Sequence, residues 1–593
     1  MPILPIIFKV QEDSDFIQDL EGKINSSWGN NYLLKYPTVY IHYWKVKKES
    51  YTDEKGKTHT TVLYDAYVGE SNNIIARTKQ HYSEGEIETN WQYQMTHSSS
   101  VPTFIVIGNR HFNKSLTLDI ENKLIEYIMS ARCLNKIHNG RGNPQKNYYP
   151  EEEFEQIFST IWRKLNTIEK DLFPPESQIF DSAIFKASPL KKLTDEQTDA
   201  KEAIIRKVLN AVYSKKEGQL VFVQGEAGTG KTVLTTSTFY ELVRGGEELS
   251  EDQPLKCCLL VNHDQQLKVY EQMVKKLDLL VAEVSKPTSF INNHSEFDKV
   301  DVCFIDEGHL LLTQGKMSYR GKNQLDDIMQ RSRVTVIMFD EFQVLTAEEY
   351  WEEEVLQKFK SLSKKQGNYI TLSHQLRMNC AQTTMQWLNR FIFDRTVDKF
   401  IPDENGYEVK SFDFPQDLYS AIEKRSKETG NELSRIVASY DWDYSSANRP
   451  EGGGLWGVKI GEWFLPWNYE LERHILSSKE KRGIKSLAWA EQPQTIGEAG
   501  STFTIQGFDL SYVGVILGPS VKYRNGKIVF DPGESKNDKA TNKRTLSNGK
   551  RKSFGETFIR NEVKVLLTRG VKGLYIYAVD DELRKALKDD ACL

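Results

Sequence analysis

Cysteine is scarce in this chain of 593 residues, and what there is shows no pattern. Cys133, Cys257, Cys258, Cys303, Cys380 and Cys592 form no C-x-x-C pair and no metal-ligand spacing. The spacing offers neither a disulfide framework nor a cysteine-paired metal motif, and reduced, mostly buried thiols are expected. Cys592 stands second from the end, the wrong place for a prenylation box. Long apolar runs are lacking too. No segment approaches the ~20 apolar residues that span a bilayer. The run Pro2-Ile3-Leu4-Pro5-Ile6-Ile7-Phe8 is too short for a secretory leader, contains prolines and has no cationic start. The chain therefore reads as cytoplasmic, with no membrane partner. Neither charge is in excess: 78 Lys and Arg against 83 Asp and Glu leave a net −5, so no global field draws the protein onto nucleic acid. Any such contact has to be local. The best candidate runs from Lys522 to Lys552, where ten lysines and arginines face Asp531, Glu534 and Asp538. It reads either as a solvated mobile loop or as a surface that touches a phosphate backbone.

What is present begins with Gly225-Glu226-Ala227-Gly228-Thr229-Gly230-Lys231-Thr232, which fits G-x-x-x-x-G-K-[ST] at every fixed position. A buried-strand pattern, Gln219 to Gln224, precedes it, and a helix pattern follows from Thr232. The glycines let the loop wrap phosphates so that backbone N–H groups and a helix N-terminus face the anion. Lys231 would reach the β/γ-phosphates of ATP, and the Thr232 hydroxyl would ligate Mg²⁺. Further on, Val300 to Ile305 is an apolar strand ending in Asp306 and Glu307. Asp306 would hold Mg²⁺ through water, and Glu307 would polarise the water that attacks the γ-phosphate. A third strand, Val334 to Asp340, leads to Gln343, a sensor for the γ-phosphate. Apolar and charged fractions of 39% and 27% suit a soluble globular protein, and the length suggests roughly two to four domains.

Ahead of this region, Thr38 to Trp44 and Val62 to Gly69 read as strands, with the polar stretch Lys45 to Thr60 as a long hairpin turn between them. Arg77 and His81 follow four apart on one helix face. Ile120, Leu124, Ile125 and Ile128 give a second helix its apolar stripe. Over roughly residues 36 to 140 this order resembles the GIY-YIG nuclease domain. Tyr67-Val68-Gly69, Ser71, Arg77 and His81 keep that family's spacing; Val39-Tyr40-Ile41 replaces its Gly-Ile-Tyr, and the insertion between the halves is longer. The resemblance implies that Glu121 holds one divalent cation, Mg²⁺ or Mn²⁺, and that Tyr40 or Tyr67 positions or deprotonates the attacking water. It implies that Arg77 stabilises charge on the phosphate, and that His81 assists proton transfer. Leu134-Asn135 resembles the family's closing asparagine motif.

Phe173-Pro174-Pro175 and Ser188-Pro189 break the pattern between the two regions, and suit a connection. From about residue 190 to 585 the motifs resemble superfamily 1 motors of the DNA/RNA helicase class, related to the Schlafen helicase region. In that resemblance Gln197 reads adenine and Asn262 to Gln265 contacts a single strand. Arg377, in Thr371 to Arg377, approaches the γ-phosphate from the opposite side. Gln506, in Gln506-Gly507-Phe508-Asp509, couples strand to nucleotide, and Arg569 is an arginine finger. Trp442, Trp456, Trp463, Trp467 and Trp489 fill the stretch between these motifs and read as base-stacking platforms or, more commonly, as core.

The expected fold class is α/β: a small α+β GIY-YIG-like domain (1–150), a linker (151–190), and two RecA-like parallel-sheet lobes (191–355 and 356–593). The implied function is an ATP-dependent motor coupled to a metal-dependent endonuclease. The implied partner is DNA, single-stranded or forked, ahead of RNA. Fusions of this kind resemble prokaryotic defence or DNA-processing systems, which implies an antiphage setting. The rival readings are an ATP-gated switch that does not unwind, and a nuclease-like domain that binds without cutting.

Overall fold

The computed structural model describes the chain except residues 1–3, 14, 53–57, 84–89, 141–147, 250–253, 280, 316–318, 374, 430–432, 485–486 and 506–507. Two compact units divide it. One comprises Met1–Asp195, Thr236–Leu255 and Lys268–Val284; the other comprises Glu196–Thr235, Lys256–Leu267 and Ser285–Leu593.

The first unit is built on β1 (Ile6–Gln11), β2 (Thr38–Thr52), β3 (Thr58–Ser71), β4 (Thr103–Gly108) and β5 (Leu134–Ile137), in the order β1-β4-β2-β3-β5. Only the β3–β5 pair is parallel. The expected hairpin is there, but its strands run on to Thr52 and start again at Thr58. Thr, Tyr and Val within the polar stretch favour extended backbone despite their charged neighbours. The apolar run near the N-terminus becomes edge strand β1. Val39, Tyr40, Ile41 and His42 are all buried, so β2 is covered on both faces. The helix Lys114–Ser130 packs on β2, β3 and β5. Residues 151–190, expected as a connection, are folded: helix Phe154–Ile168 buries Ile157, Phe158, Ile161, Trp162 and Leu165. Phe158 and Trp162 pack edge-on against Tyr127, at 4.8 and 5.0 Å between ring centres.

The second unit holds two parallel sheets, as an α/β chain of this kind requires. The first contains β6 (Gln219–Gly225), β7 (Cys257–Val261), β9 (Val300–Asp306), β10 (Ser332–Phe339) and β11 (Tyr369–Leu372), in the order β11-β6-β10-β9-β7. Strand β8 (Ala282–Ser285) lies where the chain passes from one unit to the other. The second sheet takes β12 (Glu408–Ser411), β13 (Arg435–Ala438), β16 (Ala499–Gly500), β17 (Leu510–Leu517) and β22 (Gly570–Ala578), in the order β12-β22-β17-β13-β16. Three hairpins decorate this half: β14–β15 (Gly457–Ile460, Trp463–Pro466), β18–β19 (Val521–Arg524, Lys527–Phe530) and β20–β21 (Arg544–Thr545, Arg551–Lys552).

Strand β11 carries the start of the motif at Thr371 to Arg377, and it pairs with β6 in the first sheet rather than opening the second. Helix Glu353–Lys365 packs on β6 and β11 and is the crossover between parallel strands that a βαβ connection needs. Trp467 and Trp489 are fully buried, and Trp442, Trp456 and Trp463 pack partly buried against the same core as Trp467, so the aromatic stretch is core material. Cys133, Cys257, Cys258 and Cys303 are buried. Among the described residues no helix is long and apolar enough to cross a membrane.

Candidate nucleotide cleft and a tyrosine–histidine cluster

The loop after β6 turns into helix Lys231–Leu249 at the carboxyl end of the first sheet, where parallel α/β sheets bind ligands. Gly230 has φ +77°, and a Cβ there would stand 2.1 Å from the Gln197 amide nitrogen. Only glycine fits. Gln197 is buried and donates from that nitrogen to the Thr229 carbonyl at 3.0 Å, so its side chain lies on the loop. Lys231 Nζ donates to the carbonyls of Gly225 and Glu226, each at 2.8 Å. The Thr229 hydroxyl donates to the Glu226 carbonyl at 3.0 Å. Leu376 N–H donates to the Gly228 carbonyl at 2.7 Å, tying the segment after β11 to the loop.

Strands β9 and β10 bring the acidic groups alongside. The Thr232 hydroxyl donates to Asp306 Oδ2 at 3.2 Å. These are hard oxygen donors at a helix start, the set that suits Mg²⁺. Glu307 sits in the left-handed region at φ +50°, a conformation that costs free energy and clusters at functional sites. Its carboxylate is 3.5 Å from Nδ1 of the fully buried His309, which burial keeps neutral. A chain of polar contacts then crosses to the second sheet. Lys231 Nζ is 3.7 Å from Asp340; Asp340 Oδ2 accepts from Gln343 at 2.8 Å; Gln343 Oε1 accepts from Arg569 at 3.5 Å. Burial alone would raise the Asp340 pKa, but Lys231 and Lys564 hold it below the usual carboxylate range. Burial and the nearby Arg377 guanidinium bring Arg569 down to about 9, so it remains a cation at neutral pH.

Arg377 is carried by the segment after β11 of the first sheet, not by the second lobe as expected, because the crossover helix returns the chain to β6. Its guanidinium pairs with Asp509, 2.5 Å away, and so still meets the second sheet's half of the unit. Gln506 and His374 lie outside the described residues. The sequence alone assigns no role to Asp340 or Lys564; position offers a signal for Asp340, which directly follows β10, the strand next to the one that ends in Asp306.

In the first unit, Tyr40, Tyr67, Arg77 and His81 converge. Tyr40 and Tyr67 lie on β2 and β3, with ring centres 6.1 Å apart. The Tyr40 hydroxyl is 2.8 Å from His81 Nε2. Burial raises the pKa of both tyrosines, with Tyr67 adding to the effect on Tyr40. Burial, with Arg77 and His42, pushes His81 down to about 3. At neutral pH the pair is thus a protonated phenol hydrogen-bonded to a neutral imidazole. Arg77 lies beside both tyrosines, and Glu121 is near enough to Tyr67 to raise its pKa. Two partners escaped the sequence. Trp91 stacks on Tyr67 at 4.0 Å. Asn139, not Asn135, reaches Glu121: its Nδ2 donates to Glu121 Oε1 at 2.9 Å and to the Val68 carbonyl at 2.7 Å. Asn135 instead donates to Asp65 at 2.8 Å.

The basic run from Lys522 to Lys552 carries two hairpins and several ion pairs. Lys522 bridges Asp531 and Glu534, Arg524 bridges Asp580 and Glu582, and Lys536 meets Asp443. Arg544 is buried, donating to the carbonyls of Ala347 and Tyr350 at 2.6 Å each.

Residues 218–580 match the family model described as Schlafen group 3, DNA/RNA helicase domain. An uncharacterized protein of Saccharomyces cerevisiae is 31% identical over 466 residues, covering 72% of this chain and 97% of that protein. Among solved structures, the arterivirus nonstructural protein 10 helicase with DNA is 14% identical over 64% of each chain at a TM-score of 0.27. The Pif1 helicase of Candida albicans is 13% identical over 68% of this chain and 97% of its own, at 0.27. The DEAD-box helicase Mss116 bound to ssRNA is 14% identical over 70% and 76%, at 0.33. Scores that low leave the assignment to the family match, which spans more than half of the sequence: the chain belongs to the Schlafen group 3 DNA/RNA helicase domain family.

Proposed function

We propose that the second unit is an ATP-hydrolysing motor on single-stranded nucleic acid, and that the first is a GIY-YIG-like metal-dependent endonuclease acting on the same substrate. The observation that carries the motor is the continuous polar chain from Lys231 through Asp340 and Gln343 to Arg569, which joins the phosphate loop to the second sheet. The loop amides and the start of helix Lys231–Leu249 cradle the phosphates, and Lys231 moves from the Gly225 and Glu226 carbonyls onto them. Thr232 and Asp306 would hold Mg²⁺, which when bound neutralises phosphate charge. Glu307 orients the attacking water. Arg569 and Arg377 meet charge developing on the γ-phosphate, and Gln343 reports its loss to the second lobe.

In the first unit the phenols stay protonated, so they orient water rather than act as bases. The Tyr40–His81 hydrogen bond holds the Tyr40 hydroxyl in place for that orienting role. Arg77 faces the phosphate. Glu121, steadied by Asn139, would hold a single Mg²⁺ or Mn²⁺, which supplies charge neutralisation at the leaving group. DNA and RNA both fall within the family's description. The setting is nucleic-acid processing; the antiphage role expected of such a fusion has no residue behind it. Cleavage of circular duplex, single-stranded DNA and RNA, each with and without ATP, tests the pair of activities. Loss in both Glu121→Ala and Lys231→Ala is the expected result for a coupled enzyme.

One observation favours the rival switch. Arg544 of hairpin β20–β21 is clamped by carbonyls at Ala347 and Tyr350, and Tyr350 stacks on Phe554 at 3.9 Å. That clasp spans the two lobes and limits their opening. A forked duplex that stays intact while ATP is consumed would select the switch.

A further inference from the structure

Glu226 is the first variable position of the phosphate loop, and the motif gives its side chain no part. Its two ends nevertheless point to different lobes. The backbone carbonyl accepts from Lys231 at 2.8 Å, while the carboxylate holds the Lys564 ammonium at 2.8 Å. Lys564 lies on helix Gly555–Leu567, which packs on β17 of the second sheet and ends just before Arg569. It is 4% exposed, and its ammonium lies 4.0 Å from the centre of the Phe342 ring and 5.0 Å from that of Phe393. Phe342 belongs to the same short segment as Asp340 and Gln343. One turn earlier on the helix, Asn561 donates to the Val344 carbonyl at 2.9 Å. A single helix face therefore grips both the loop and the sensor segment.

We infer that Glu226 is a positioning residue that transmits the state of Lys231 to the helix leading to Arg569, acting through Lys564. A lysine has three donors. Here two of them are given to the Gly225 and Glu226 carbonyls, so a phosphate that draws the ammonium toward itself competes with both bonds. The Glu226 carbonyl then loses one donor and keeps the Thr229 hydroxyl, and the less tightly held peptide shifts together with its carboxylate. Lys564 follows because a buried ammonium is costly to leave without its counter-ion, and because the two aromatic rings give it a track to slide over. Nucleotide arrival at the loop is thus converted into movement of the element that presents Arg569. The inference rests on the nucleotide-hydrolysing reading of the cleft and adds the route between its halves.

The test is steady-state ATP hydrolysis by the full chain carrying Glu226→Gln, Lys564→Met, both together, or Lys564→Arg. Methionine keeps the stem over the rings, and Glu226 is half exposed, so both variants are compatible with the fold. Each single change is expected to lower kcat about tenfold with little change in KM. The double variant should be no worse than the poorer single, since the two act as one unit, and Lys564→Arg should recover most of the rate. Additive losses, or wild-type kcat in Glu226→Gln, would overturn the inference. Lys231→Ala run in parallel separates the two levels. Hydrolysis surviving in Lys231→Ala brings down the cleft reading itself. An inactive Lys231→Ala beside a wild-type Glu226→Gln brings down only the coupling.

Discussion

Gly69 lies directly under the Tyr40 hydroxyl. The two are register partners on β3 and β2, and a Cβ at residue 69 would stand 2.4 Å from that oxygen and 2.9 Å from the Tyr67 ring. Neither ring can withdraw, because both are buried. Gly69→Ala is therefore expected to cost about 1–3 kcal/mol of stability, as overpacking does. It should also displace the Tyr40 hydroxyl from His81. Denaturant unfolding and cleavage assays on the same preparation check this; an unchanged midpoint would mean the rings have more room than the geometry allows.

His81 makes the first unit acid-sensitive. Its pKa falls from an ordinary 6.5 to about 3 on folding, so between those values the unfolded chain binds the extra proton. Stability from this group is complete above pH 6.5 and is lost progressively as pH falls toward 3, at about 1.4 kcal/mol per pH unit at most. His81→Phe should flatten that part of the stability profile, measured by chemical denaturation at pH 7 and pH 4.

Asn139 links the Val68 carbonyl to Glu121. Partners that orient a metal ligand typically matter by 10–100-fold in metal affinity. Asn139→Ala should accordingly raise the Mg²⁺ or Mn²⁺ concentration for half-maximal cleavage by about that factor, while Asn135→Ala should not. A metal titration of both variants distinguishes them.

Lys276 is the alkaline counterpart. Within the first unit it donates to the carbonyls of Met129 and Ala131 at 2.9 and 2.8 Å, at the end of the helix that carries Glu121. Burial lowers its pKa from 10.5 to about 8. The unfolded chain holds the proton over that interval, so this group's contribution rises with pH from about 8 to 10.5. Lys276→Met should remove that rise, read as the difference in unfolding free energy from wild type across the interval.

The phosphate loop and the convergence of Tyr40, Tyr67, Arg77 and His81 were legible, the first as one short run and the second as a spacing kept along two strands and a helix. The partners were not. Asn139 and Asp340 are single polar residues whose meaning depends on which strand end they reach. Lys564 pairs with Glu226 across 338 residues of sequence, and no local pattern carries that distance. Strand β11 was misplaced for a similar reason: an amphipathic helix before a short strand does not say which of two parallel sheets the strand will join. Residues 151–190 read as a connection because prolines mark their breaks, yet the helix ahead of those breaks has a complete apolar stripe.

The most direct test is ATP hydrolysis by wild type, Lys231→Ala and Glu307→Gln, with single-stranded DNA and with single-stranded RNA. Hydrolysis by wild type that falls at least about 100-fold in both variants is the predicted result, since one loses the phosphate cation and the other the group that orients water. Undiminished hydrolysis in either variant would contradict the site.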